Sequence, residues 1–431
     1  MRAPVAMTPL SPNEPANPAF VLLSFEGPDD YARAGGLGTR VSGLARALAG
    51  HGYETHLFFI GAPDAPGCEV QFEGRLHLHR WCQWLSRHHP GGVYDGEEAK
   101  LSDWNASLAP WLQRELLPSL LARNRRVHVI AEEWQTSESI VALSNACRRA
   151  GWAERVCCFW NANNTFGFDR VAWRDLAHAA TITTVSRYMK HEMRRYGVEA
   201  RVIPNGIGNE WLEPCERAAV QMLKRVSRSR MLLVKVARWD PDKRWLMAID
   251  TIGELKARRL RPLLVARGGV ESHGREVVDR ARRLGLDTAW LGAADRSPQA
   301  LAKAIGDASQ CDVAFVERPL TRPQLQCLYR ASHGVLANSG VEPFGLVGLE
   351  AMACGGVSFL GTTGEDYASP GHDSISVQGE SPGELVAHLL YLRGNREFES
   401  RLRTHARRTA ARYTWDYVIR AHIAPMVALA A

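Results

Sequence analysis

The residues with the clearest chemical pattern lie in NSGVEPFGLVGLEAMACGGVSFLG, which reads as strand end, turn, helix and strand. Glu342 and Glu350 stand eight apart in it. Pro343 interrupts the chain, and Phe344, Gly345 and Leu346 begin a helix. The amides of a helix start have no partners within the helix and can hold anionic or hydroxyl groups. Two carboxylates beside an anion site are electrostatically odd unless they bind hydroxyls, and a sugar and a ribose would explain both. The bland alternative is two surface glutamates capping a helix. A second stretch, VKVARWDPDKRW, puts Arg238 and Lys243 just past an apolar strand. Arg plus Lys at one strand end can neutralise the charge of a departing diphosphate. A solvated loop with charges of both signs would read the same way.

Two further stretches have looser signals. RAGGLG, Arg33 to Gly38, sits between a strand and a helix. Gly35, Gly36 and Leu37 let backbone amides approach a phosphate, or simply make a tight turn. In TTVSRYMKHEM, Ser186 follows a strand and is a good N-cap, while Pro204-Asn205-Gly206 marks a turn.

The elements that must position these residues are short apolar runs alternating with helical stretches. Ala19–Phe25, Glu54–Gly61, Val127–Ala131, Val156–Trp160, Ile182–Ser186 and Arg201–Gly206 are expected strands of a first set. Leu232–Ala237, Pro262–Gly269, Asp312–Val316, His333–Ser339 and Gly356–Gly361 form a second. This pattern predicts an α/β protein with two doubly wound, Rossmann-like domains facing a cleft. The expected division is a Pro-rich flexible tail over residues 1–18 and a first domain over 19–207. A second domain over 208–412 and a terminal helix over 413–431 follow. The segment Leu76–Trp111 fits neither set and reads as a long connection. Its Trp81, Trp84, His88, His89, Tyr94, Asp95, Glu97, Glu98 and Trp104 suit either a sugar or a structural face. Adjacent His88 and His89 do not make a metal site.

Composition narrows the class. The formal net charge is +7, but only seven of the 53 basic residues are lysine and the arginines are scattered. No nucleic-acid-binding motif accompanies them, so no nucleic-acid partner is expected. The nine cysteines include no C-x-x-C pair, which argues against a zinc site and for a reducing compartment. The start lacks an apolar signal segment, so the expected location is cytoplasmic, with at most peripheral membrane contact.

Taken in order, these stretches resemble retaining glycosyltransferases of the GT-B fold, most closely glycosyltransferase family 4. Glu342 to Glu350 resembles that family's E-x7-E signature, Arg238 and Lys243 its R-x4-K pair, VIPNGI its turn near the hinge and TVS its strand–helix junction. The first domain also resembles glycogen and starch synthases. AGGLG is similar to their glycine loop, with Arg33 in place of the usual Lys. EEWQT is similar to their H-D-W-x-T, with Glu132 in place of His. Trp160 and Asn161 stand where the family usually has a His near the sugar, so Asn161 or Asn163 is its expected substitute.

The resemblance implies transfer of a hexose, glucose or mannose, from a nucleotide-sugar donor to a sugar or glycolipid acceptor. Glu350 would hold the ribose, and Arg238 and Lys243 the diphosphate, with amides of the first-domain glycine loop. Glu342, Phe344, Gly345 and Leu346 would hold the sugar. No metal or other cofactor is implied. The resemblance also implies that the terminal helix, led by Trp415, crosses back to the first domain; the alternative is that it caps the second. Alternatives on the same fold are an epimerase, a phosphorylase or a non-catalytic binding protein.

Overall fold

The structure, a computed structural model, describes residues 16–292 and 295–429. Most of the expected tail, residues 1–15, lies outside the described residues. The chain divides into two compact units. Unit 1 takes Met1–Thr183, Met193–Arg201 and His422–Ala431; unit 2 takes Thr184–Glu192 and Val202–Ala421.

The sheet of the first half has strands β1 Ala16–Leu23, β2 Glu54–Ile60, β3 Cys68–Gln71, β4 Leu76–Trp81, β5 Arg125–Glu132, β6 Val156–Ala162, β7 Thr181–Thr184 and β8 Arg201–Val202. Their order is β3-β4-β2-β1-β5-β6-β7-β8. β1 runs parallel to both neighbours, with Leu22 opposite Leu57 and Ile130. Phe20, Val21, Leu22 and Leu23 are almost wholly buried, as a strand covered on both faces requires. β8 is shorter than its apolar run, because Pro204 cannot donate to a ladder.

The segment Leu76–Trp111 is not a long connection. It opens with β4, parallel to β2 and antiparallel to β3, and continues into helix Glu97–Trp111. The strand was hidden because Leu76, Leu78 and Arg80 face inward while His77, His79 and Trp81 are half-buried, an alternation unlike the continuous runs elsewhere. Trp104 is fully buried and donates to Ser139 Oγ at 3.1 Å, and Trp81 donates to Ser107 Oγ at 2.7 Å. These two rings are structural, whereas Trp84 remains exposed. Lys100 is fully buried, and its Nζ donates to Tyr31 Oη and to the carbonyls of Gly92, Val93 and Asp95. That lysine fixes the loop carrying Tyr94.

The second sheet has β9 Met231–Val236, β10 Pro262–Arg267, β11 Thr288–Leu291, β12 Val313–Val316, β13 Gly334–Ala337, β14 Ser358–Leu360 and β15 Ile375–Ser376. Their order is β11-β12-β10-β9-β13-β14-β15, parallel throughout. Alternate residues of β9 feed two cores. Leu233 joins Ile249, Phe315 and Phe359 on one face, and Leu232 and Val234 join Leu328 and Tyr329 on the other. Truncating a side chain such as Leu233 to Ala costs about 2–5 kcal/mol. VIPNGI is tied to the start of the terminal helical region: Ile207 N donates to Tyr413 O and Trp415 N to Ile207 O, at 2.8 and 2.9 Å. A side chain at Gly206 would strike the Trp415 ring. Among the described residues no helix is long and apolar enough to cross a membrane.

β9 also carries a lysine in its apolar run. Lys235 is 1% exposed, and its Nζ donates to Leu336 O and Asn338 Oδ1, both at 3.0 Å. It clamps β9 to the end of β13. Burial, helped by Lys243 and Arg244, pulls its pKa down to about 7 from 10.5. Between those values the unfolded chain holds a proton that the folded chain lacks, so stability rises with pH. The difference in unfolding free energy between wild type and Lys235→Met is expected to move in favour of wild type from pH 7 toward pH 10. Urea unfolding across that range checks it; a flat difference would show that the lysine is not depressed.

Candidate active site

In unit 2 the loops after β9 and β13 emerge side by side, because those strands are neighbours. The first loop carries Arg238 and turns through a short helix at Pro241–Lys243, capped by Asp240, whose side chain accepts from Asp242 N. The second runs from Asn338 to helix Leu346–Ala353. Asp242 ties them: its carbonyl accepts from Gly340 N at 2.7 Å and its Oδ1 from Val341 N at 3.0 Å.

This seam brings together two of the predicted residues. Lys243 Nζ lies 2.8 Å from Glu342 Oε2, which also accepts from Ser339 Oγ at 3.0 Å. Both side chains of the pair are about one-fifth exposed, at 17% and 22%. Glu342 is held by its backbone as well. Thr363 Oγ1 accepts from Glu342 N at 2.8 Å and donates to Glu342 O at 3.0 Å, and Gly364 N donates to the same carbonyl.

Gly345 sits at φ +80°, a conformation that side chains rarely adopt, and serves as N-cap of the helix. Its carbonyl accepts from Tyr367 Oη at 2.7 Å. The amides of Phe344, Gly345 and Leu346 have no hydrogen-bond partner among the described residues. They are an open anion- or hydroxyl-binding end beside a charged pair. Glu350 lies one turn into the helix, where burial lifts its pKa to about 8. Arg238 is about half exposed, with only a loose contact to Asp240 at 3.9 Å.

Sequence reasoning missed three supports of this site. Lys235 fixes Asn338 at its entry. Asp242 stitches the two loops. Glu365 receives Thr363 N at 3.1 Å, keeps a buried Oε1 without a partner, and is raised to about 7 by burial and then by Glu342. A lysine inside an apolar strand was the available signal for the first; nothing in the spacing marked the others.

In unit 1 the glycine loop meets a carboxylate of the protein itself. Glu26, just after β1, accepts at Oε2 from Ala34 N, Gly35 N and Gly38 N at 3.2, 2.9 and 2.9 Å. Its Oε1 accepts from Tyr94 Oη at 2.8 Å. The expected donor contact from Gly35 is thereby altered, because that amide is already engaged by the nearest buried anion. Gly36 and Leu37 keep amides without partners among the described residues.

Asn161 is likewise satisfied internally. It is fully buried, donates to Glu132 Oε2 at 2.9 Å and accepts from Thr183 Oγ1 at 2.9 Å. Its role is to orient Glu132, which also receives Arg40 Nε at 3.1 Å and Asn163 Nδ2 at 2.8 Å. Asn163 Oδ1 and Gln135 Oε1 are buried acceptors without partners. Glu133 has φ +70° and accepts from Asn163 N at 2.7 Å. Burial raises its pKa to about 8, so it carries a proton at neutral pH. Burial also raises the Tyr94 hydroxyl, and Glu26, its hydrogen-bond acceptor, adds to that shift. This nest of acceptors and one neutral acid suits a hydroxyl-rich ligand.

Among the described residues one group, Glu54, His56 and His77, has potential metal-ligand atoms within 4.8 Å of one another. The two imidazoles are stacked 4.5 Å apart at 13°, so their lone pairs do not converge on one ion. Arg123 also occupies both oxygens of Glu54.

Two mostly parallel sheets wrapped by helices, with the open helix end after a strand of the second, have the architecture of the GT-B fold. Solved structures share the fold over nearly the whole chain. A sucrose-phosphate synthase from Thermosynechococcus elongatus aligns with a TM-score of 0.67 at 16% identity, covering 96% of this chain and 100% of that one. The catalytic domain of starch synthase IV from Arabidopsis thaliana, bound to ADP and acarbose, aligns at 0.65 and 14%, covering 96% and 99%.

Within that fold, residues 34–210 match the model of Glycosyltransferase Family 4. The D-inositol 3-phosphate glycosyltransferase of Geodermatophilus obscurus is 28% identical over 240 residues, 54% of this chain and 49% of that protein. The corresponding Frankia alni protein is 30% identical over 187 residues, 42% and 44%. The alignments span about half the length of these relatives.

Gly364 offers a test of the geometry. A Cβ there would lie 2.1 Å from Pro343 O and 2.4 Å from Glu342 O, so the backbone would have to move. Gly364→Ala is expected to break the Lys243–Glu342 pair and weaken ligand binding to unit 2 at least tenfold. Wild-type affinity in calorimetry would show that the turn does not hold the site.

Proposed function

We propose that the protein is a retaining glycosyltransferase that moves a hexose, glucose or mannose, from a nucleotide-sugar to a hydroxyl of a carbohydrate-type acceptor without a metal. The observation that carries this reading is the Lys243–Glu342 pair beside the unpartnered amides of Phe344, Gly345 and Leu346. Unit 2 then binds the donor. Arg238 and Lys243 neutralise the diphosphate, Glu350 accepts from the ribose hydroxyls, and Glu342 with the helix-end amides holds the sugar. The acceptor nest of unit 1 receives hydroxyl-bearing groups. Relatives named for transfer to D-inositol 3-phosphate support a polyhydroxyl acceptor.

In the proposed step the bond from the anomeric carbon to the phosphate oxygen breaks. The acceptor oxygen bonds that carbon on the same face, and the acceptor proton passes to the leaving phosphate oxygen. The positive charge of Arg238 and Lys243 is worth most as that phosphate leaves. This differs from retaining glycosidases, in which one of two carboxyls roughly 5 Å apart attacks the sugar.

Lys243→Ala and Glu342→Ala are each expected to lower kcat/KM by roughly 100-fold or more while leaving the melting temperature within a few degrees. Full activity in both would overturn the assignment. Glu350 gives an independent check on the nucleotide. A carboxyl with a pKa of about 8 must lose its proton to accept two ribose hydroxyls. Nucleotide affinity is therefore expected to rise with pH up to about 8 and to lose that dependence in Glu350→Gln. Calorimetry in buffers of different ionisation enthalpy should detect about one proton released per nucleotide near neutral pH. An affinity independent of pH in the wild type would remove Glu350 from the ribose.

A further inference from the structure

The second sheet has a cationic cavity at the end opposite the candidate active site. It lies beside the residues that lead into β9 and β13, Arg228 and Ser332-His333, whereas Lys243 and Glu342 follow the other ends of those strands. Six residues of β9 separate the two ends, roughly 20 Å. The cavity has a volume of about 920 Å³ and is lined by seven Lys or Arg side chains and one carboxylate, Glu399.

Helix chemistry accounts for part of this charge. Arg228, Arg330, Arg407 and Arg408 occupy the last turns of helices Arg217–Ser229, Arg322–Ala331 and Arg396–Ala410. Cations are favoured there, because each helix end carries about half a negative charge. Three such ends offset about 1.5 charges. The lining exceeds its carboxylate by far more than that.

The cations divide into a frame and an open set. Arg403 donates to Gly355 O and Ser332 O and pairs with Glu399 at 2.8 Å; Arg407 donates to Ala353 O. Arg407 is fixed by neutral carbonyls that leave its charge uncancelled, whereas Glu399 balances Arg403. Lys224, Arg228 and Arg408 are exposed and have no carboxylate partner among the described residues. Arginine-rich walls match the paired oxygens of phosphate better than a lone carboxylate does. The volume lies within the range of small-ligand sites.

We infer that this cavity is a second anion site of unit 2, which binds a small molecule carrying two or more phosphate charges. It is separate from the donor chemistry proposed above and stands without it. The concave shape favours a small anion over a flat membrane surface.

The test titrates inorganic pyrophosphate into the full chain bearing Arg238→Ala and Lys243→Ala, which removes the two cations proposed to bind phosphate at the candidate active site. Calorimetry is expected to show one remaining site. Adding Arg228→Glu and Arg408→Glu, two exposed positions, should lower its affinity at least tenfold while lowering the melting temperature of the ligand-free protein by no more than a few degrees, the loss expected from two helix-end charges. Lys224→Ala provides a milder second variant and should weaken binding severalfold. No pyrophosphate binding in the first variant, or affinity unchanged by the charge reversals, would overturn the inference. Charge-reversal-sensitive binding to vesicles rich in anionic lipid, with none to pyrophosphate, would overturn it in favour of a membrane surface.

Discussion

The adjacency of β9 and β13 is the constraint on which the rest depends. Parallel strands placed side by side end at the same edge of the sheet, so the loops that leave them must share space. Here one loop brings Lys243 and the other Glu342, and they meet at 2.8 Å. Without the stitching by Asp242 and the Lys235 clamp underneath, this would be an ordinary surface ion pair of little energetic value. With them, the pair stands at a fixed position beside an open helix end. Its own worth to stability is secondary to the placement of charge.

The two units handle charge differently. In unit 2 the polar groups near the helix start are held from behind by Thr363, Tyr367 and Glu365, and the amides in front remain open. In unit 1 the corresponding kind of feature, a glycine turn leading to a helix, is already partly filled by Glu26. The same electrostatics draws a carboxylate to a helix N-terminus whether it comes from a ligand or from the chain. Glycine spacing alone does not distinguish the two.

That contrast explains how much was legible in the sequence. Continuous apolar runs gave the central strands of both sheets, and the Glu342–Glu350 spacing pointed to the helix whose N-terminus is open. Ser186 was readable as an N-cap, and its Oγ accepts from Met189 N at 3.2 Å. β4 was not readable, because its alternating Leu and His residues bury one face only. The internal satisfaction of Asn161 was not readable either, since Glu132, Thr183 and Arg40 come from separate parts of the chain. Buried lysines Lys100 and Lys235 were visible as residues, but their carbonyl partners exist only in the fold.

In the proposed reaction, unit 2 holds a nucleotide-sugar through charged side chains and helix-end amides. The most direct measurement is nucleotide release by the purified protein from UDP-, ADP- and GDP-hexoses in the presence of EDTA, alongside calorimetry with each free nucleotide. One nucleotide is expected to bind, and its sugar donor to be consumed at an unchanged rate when metal is chelated. Binding of none of the three, with no donor consumed, would contradict it.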